Sequence, residues 1–130
     1  AAEEESHFKV LYPDEMSLKD KIMTVATKVY GAADVEYSPA ANKSIELYEA
    51  SGFGHLPVCI AKTHLSTSHD PKLKGAPKGF TLPVNEVRAS VGAGFIYPLC
   101  GDMRTMPGLG RTPAAANIDI DADGNVINLS

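Results

Sequence analysis

The sequence predicts an α/β fold in two parts. Residues 1–66 read as a strand–helix–strand–helix–strand lobe with parallel strands. Residues 67–130 read as a loop-rich β lobe ending in a hairpin. Three observations carry this prediction. Two amphipathic helical periods alternate with short apolar runs in the first half, the pattern of crossover-linked parallel strands. From Gly52 to Gly108, glycine or proline falls every few residues and strand-length apolar patches alternate with polar turns. Near the end, Asp123-Gly124 lies between short apolar pairs, which is a hairpin signal.

In chain order, residues 8–12 (FKVLY) are the first strand candidate. Ser17 caps the following helix, with Asp20 three positions on as a capping-box variant. Leu18, Ile22, Val25, Ala26 and Val29 recur at three- and four-residue steps and mark its buried face, and Gly31 suits the C′ position. Residues 34–37 (DVEY) form a short strand. Ser38-Pro39 is an N-cap followed by proline at N1, and Ala41, Ile45 and Tyr48 line the second helix, which Gly52 closes. The continuous apolar run 57–61 (PVCIA) has the character of a buried strand.

Ligands on open α/β sheets sit beyond the carboxyl ends of the strands, which places Lys62, Thr63 and His64 at such an end. Residues 66–79 form a long polar loop. Strands are expected at 80–82, 86–90 and 94–99, with Pro83 and Pro98 marking edges or breaks. Residues 101–116 are irregular, and 117–129 close the chain as a half-buried hairpin.

Composition bounds the function classes. The chain has 130 residues, 44% hydrophobic and 22% charged, with net charge −4 and no basic stripe, so nucleic acid is not its partner. No apolar run reaches membrane-spanning length and no signal-peptide pattern opens the chain, so no membrane partner is expected; the expected compartment is the cytoplasm, with an organelle as the alternative. The opening AAEEESHF lacks a Met, which fits a piece of a longer chain or a processed product. The two cysteines, Cys59 and Cys100, both lie in apolar runs and are expected as buried thiols; a Cys-x-x-Cys redox spacing is absent.

Several motifs allow a functional reading beside a plain one. Arg88-Ala-Ser90-Val-Gly92-Ala93-Gly94 sets an arginine before two glycines, where backbone N–H groups and a guanidinium can meet an anion; the plain reading is a glycine bend with a surface arginine. Asp102-Met-Arg104-Thr105-Met106-Pro107-Gly108 is either a wall of a ligand site or an ordered surface loop. Lys62-Thr63-His64 either touches a phosphate or carboxylate or is solvated. His64 and His69, with Asp70, do not complete a zinc set, and surface histidines are the plain account; His7 and His55 carry no signal. Residues 119–124 (DIDADG) match the start of a calcium loop, yet its twelfth position is Ser130 rather than Glu, and the alternation of Ile118 and Ile120 with aspartate favours a strand. No metal site is expected.

The segments YGAADVEYSP, GFGHLPVCIAKTHLS, FTLPVNEVRASVGAGFIYPL, GDMRTMPGL and NIDID, in this order, resemble the C-terminal region of the formate–tetrahydrofolate ligase family. The resemblance covers nearly the whole chain and implies an ATP-dependent enzyme that activates formate as formyl phosphate and passes the formyl group to tetrahydrofolate. It implies ATP, Mg2+ and tetrahydrofolate as ligands of the full enzyme, none held tightly by this chain alone. It also implies the parent's N-terminal domains as partners, and a homo-oligomer. The family's phosphate loop and its aromatic folate platform have no counterpart in these residues. Lys62 and Thr63 match its AKT segment. Arg88, Ser90, Gly92, Ala93 and Gly94 match RAS-x-GAGF, and Thr105, Met106, Pro107 and Gly108 match TMPG. These positions are the candidates for one wall of the nucleotide side; no catalytic residue is assigned. The sequence departs from the family at Gly110, where proline is common, and at Ser130, where an apolar residue is usual. A non-catalytic binding or assembly module of the same fold, or a calcium-binding domain at 119–130, are the competing functions.

Overall fold

The computed structural model describes residues 8–101 and 116–127. Helix α1 spans Leu18–Lys28. The Ser17 hydroxyl accepts from the Asp20 amide at 3.2 Å, which is the predicted N-cap, and donates to the Asp20 carboxylate at 2.7 Å. A further free amide of the first turn, that of Leu18, donates to the Glu49 carboxylate at 3.0 Å. Leu18, Ile22, Val25 and Ala26 are buried as the period requires, but Val29 is the C-cap and stays 56% exposed. Gly31, two residues past the cap, takes the left-handed conformation at φ +74°.

Strand β1 (Asp34–Tyr37) leads into helix α2 (Pro39–Ala50), whose N-cap Ser38 accepts from the Ala41 amide at 3.0 Å. The same hydroxyl donates to the Asn85 carbonyl at 2.6 Å, fastening the helix start to a distant loop. Ala41 and Ile45 are buried and Tyr48 packs against the core.

Strands from the two halves of the chain interleave. β1 pairs in parallel with β2 (Thr81–Val84), Asp34 opposite Thr81 and Tyr37 opposite Val84. β3 (Glu86–Ser90) and β4 (Phe95–Leu99) form an antiparallel hairpin. Residues 57–61 run parallel to β4: Ile96 donates to the Pro57 carbonyl at 2.9 Å, Cys59 to Ile96 at 2.9 Å, Ala61 to Pro98 at 2.8 Å and Cys100 to Ala61 at 2.8 Å. Only isolated bridges result, Val58 with Ile96 and Ala61 with Leu99. Pro98 explains the interruption, because it lacks the N–H that would donate to this neighbour midway along the ladder.

Residues 8–12 do not form the expected strand. Phe8 and Val10 stay 80% and 69% exposed, and the segment is fixed instead by Tyr12, whose hydroxyl accepts from the Val58 amide at 2.9 Å. Helix α1 packs on β1 and helix α2 on β3, around a core that joins Leu18, Ile22, Ile45, Leu82, Val87 and Ile96. The terminal hairpin pairs β5 (Asp119–Ile120) with β6 (Val126–Ile127) around Gly124 at φ +84°. Its strands are exposed rather than half-buried, with Ile120 65% accessible. Among the described residues no helix is long and apolar enough to cross a membrane.

Candidate functional site

The RASVGAGF segment builds the β3–β4 hairpin. Side chains alternate across a strand, so Val87 and Ile96 enter the core while Arg88 and Ser90 face outward opposite Tyr97 and Phe95. Residues Val91–Ala93 make one 3₁₀ turn, and Gly94 reverses the chain at φ +74°, its amide donating to the Ser90 carbonyl at 2.9 Å. Gly94 is thus required by its conformation. Gly92 is not: its φ lies outside the left-handed region and an added Cβ would meet nothing within 4 Å. Among the described residues, neither the backbone nor the packing explains a glycine there.

On the outward face, Cys59, Ala61, Ser90, Phe95 and Tyr97 line a groove of about 330 Å³. The two aromatic rings lie 5.8 Å apart and tilted by 51°, within the centroid range of interacting aromatic pairs. Arg88 stands on the same face but is committed to Glu86: its Nε and Nη2 donate to the two carboxylate oxygens at 2.8 and 2.9 Å. These hydrogen bonds, with the opposite charges behind them, hold the Glu86 carboxyl below, and the Arg88 guanidinium above, its ordinary range.

Lys62 and Thr63 are placed differently. Ala61 lines the groove, and Lys62, the next residue, reaches the Tyr30 ring, with Nζ 4.8 Å from its centroid. Lys62 Nζ donates to the carbonyls of Ser66 and Thr63, and the Thr63 hydroxyl accepts from the Leu65 amide at 3.3 Å. The structure therefore brings Arg88, Ser90, Gly92, Ala93 and Gly94 together on one hairpin and sets Lys62 and Thr63 in the adjoining turn. Thr105, Met106, Pro107 and Gly108, with Asp102, Arg104, Gly110 and Ser130, lie outside the described residues.

Cys59 is exposed at the groove rather than buried as its apolar run predicts; Cys100 is buried as expected, and both thiols are free. Burial pushes the Cys100 thiol up to about 12, with the nearby Lys62 charge acting in the opposite direction. Phe95 and Tyr97 were not among the expected site residues, although the alternation in FIYPL marks them as sharing a face. No group of three or more His, Cys, Asp or Glu gathers into a metal-binding set among the described residues.

The formate–tetrahydrofolate ligase family model matches residues 1–130. This chain belongs to that family. It is 65% identical over 130 residues to a formate–tetrahydrofolate ligase of Saccharopolyspora erythraea, covering all of this chain and 23% of the relative. The corresponding enzyme of Roseiflexus sp. (strain RS-1) is 61% identical over 130 residues, again 100% of this chain and 23% of the relative. A formate–tetrahydrofolate ligase of Desulforamulus reducens is 56% identical over 129 residues, 99% of this chain and 23% of its own length. The chain thus spans about a quarter of the length of these ligase-family relatives.

Proposed function

We propose that this chain is the C-terminal part of an ATP-dependent ligase that joins formate to tetrahydrofolate through formyl phosphate, and that its RASVGAGF hairpin helps wall the nucleotide side of the site. Gly92 carries the reading. The hairpin presents a glycine that nothing among the described residues requires, two residues after Ser90 of the aromatic-lined groove, while its other face is core. A glycine with space around it permits close approach of a group from outside the chain.

The reading divides the chemistry. Bound ATP and Mg2+ would supply the activated phosphoryl group, and phosphate-holding residues of the P-loop kind are absent from this sequence. The part played by these residues is binding and orientation: Ser90 and the Gly92–Gly94 turn offer a hydroxyl and backbone to a ligand, and Lys62 and Thr63 shape the adjacent turn. Thr105–Gly108 belong to the same proposed wall by their match to the family's TMPG segment. Catalysis then depends on the preceding domains of the parent chain, with formate, ATP and tetrahydrofolate as its small-molecule partners.

The test uses the full-length enzyme. Gly92→Val is expected to raise the KM for ATP or formate about tenfold, the scale of one lost ligand contact, without lowering Tm, since a Cβ there meets nothing within 4 Å among the described residues. Unchanged constants for all three substrates would remove the hairpin from the site. The 130-residue chain alone is expected to show no ATP- and tetrahydrofolate-dependent formate incorporation; measurable turnover would overturn the need for the other domains.

A further inference from the structure

We propose that Lys62 is a positioning residue, whose ammonium pins the loop 63–79 to the exit of α1 instead of touching a substrate. The proposal rests on the reading that the AKT segment adjoins the ligase site, and it concerns how that segment acts there. An ammonium has three N–H donors and no acceptor. Those of Lys62 are spent on the Ser66 carbonyl, the Thr63 carbonyl at 3.4 Å and the face of the Tyr30 ring at 4.8 Å. Lys62 has no carboxylate partner among the described residues, so these carbonyls and the ring solvate its charge.

What the ammonium holds is the near end of a knotted loop. Ser66 and Ser68 are 6% and 0% exposed. The Ser66 hydroxyl donates to the Leu73 carbonyl, and the Ser68 hydroxyl donates to the Asp70 carbonyl at 3.1 Å. The Thr67 amide donates to Gly75 at 2.8 Å, and the Gly75 amide to Leu65 at 3.2 Å. The far end of the loop is tied to the same helix exit, where the Gly79 amide donates to the Gly31 carbonyl at 2.9 Å, one residue after Tyr30. Lys62 and Tyr30 therefore close the ring of contacts from which the chain enters β2. Removing the ammonium leaves two carbonyls without their donor and separates the near end of the loop from the helix.

Three exposed lysines in the loop, Lys72, Lys74 and Lys78, make its opening measurable with trypsin. In the full-length enzyme, Lys62→Met is expected to speed cleavage after these lysines by about tenfold, the scale set by one charge-assisted contact. Lys62→Arg, which keeps the charge, should cleave at close to the wild-type rate. Substrate KM values in Lys62→Met should stay within about threefold while kcat falls. Tyr30→Leu leaves the ammonium in place and should also speed cleavage, which covers the case that Lys62→Met does not fold. Wild-type loop cleavage as fast as in either variant would overturn the proposal, as would a tenfold rise in one substrate's KM with cleavage unchanged. The proteolysis reads the pin whether or not the enzyme proves to be a formate ligase, so the two readings fail separately.

Discussion

The guanidinium of Arg88 and the carboxylate of Glu86, two residues apart on β3, form a bidentate pair at 2.8 and 2.9 Å on the outward face of the hairpin. Exposed pairs contribute little to stability because solvent screens them and two long side chains must be ordered. The pair's consequence for a ligand can be tested. Glu86 takes two of the five N–H donors of the guanidinium and offsets its charge, so an anion arriving at Arg88 would meet a partly neutralised partner. Arg88→Ala in the full-length enzyme is therefore expected to leave Tm unchanged and to raise the KM for ATP or formate about tenfold, the scale of a charged hydrogen bond. Glu86→Gln should lower that KM. Kinetics unaltered by both substitutions would place Arg88 outside the site.

Lys21 is the least expected member of the core. Its side chain is fully buried, and Nζ donates to the carbonyls of Asp14 at 2.6 Å, Gly54 at 2.7 Å and Leu56 at 3.2 Å, with the Tyr12 ring 5.8 Å away. It joins the segment before α1 to the loop after α2. Lys21→Met keeps the apolar stem but strands three carbonyls, and should lower stability by about 2–4 kcal/mol in a denaturant titration. Burial lowers the Lys21 pKa from its usual value of 10.5. Between that lowered value and 10.5 the unfolded chain binds more protons than the folded one, so this group makes stability rise with pH in that window. Subtracting the Lys21→Met curve from the wild-type curve should expose the rise. A flat difference would show that the ammonium is not desolvated.

Cys100 acts in the opposite sense. Its folded thiol is pushed up to about 12 from 9.0. A raised value means that its contribution is fully present below 9.0 and is lost as pH rises through about 12. Cys100→Val should remove that alkaline loss. At pH 8, iodoacetamide is expected to label the exposed Cys59 and spare Cys100 until the protein unfolds. Equal labelling of both in the folded protein would contradict the burial on which this rests.

The helices were legible because their signals are local. Ser17 and Ser38 cap them as residue type and position require, and their apolar steps match the helical period. The terminal hairpin was legible for the same reason, from Asp123-Gly124. Pairing was not, because the partner of β1 lies beyond α2 and the long loop, and no local pattern encodes that choice. The FKVLY segment has strand composition but gains no ladder here, since composition does not supply a partner. A continuous apolar run such as PVCIA gives no periodicity from which to tell faces apart, so the run does not reveal that Cys59 is exposed. Of the candidate site, the arginine–glycine hairpin was visible in the sequence. The inward turn of Lys62 depends on Tyr30 and Ser66, from separate parts of the chain, and was not.

The 119–124 segment offers a last test, because it carries an aspartate pattern that also suits calcium. Asp121 already uses its carboxylate within the turn: Oδ1 accepts from the Asp123 amide at 3.0 Å and the Asn125 amide at 2.8 Å, and Oδ2 accepts from the Asn125 side chain at 3.2 Å. These donors, the Asn125 bonds first, hold the Asp121 carboxyl below its ordinary range. Calcium in such a loop requires six to eight oxygen ligands with a bidentate Glu at the twelfth position, where this sequence has Ser130. Calorimetric titration is therefore expected to show no heat at millimolar calcium. Asp121→Ala should speed amide exchange at Asp123 and Asn125, whose donors lose their acceptor. Saturable heat with one calcium per chain, accompanied by loss of the β5–β6 pairing, would establish an ion site in place of the hairpin.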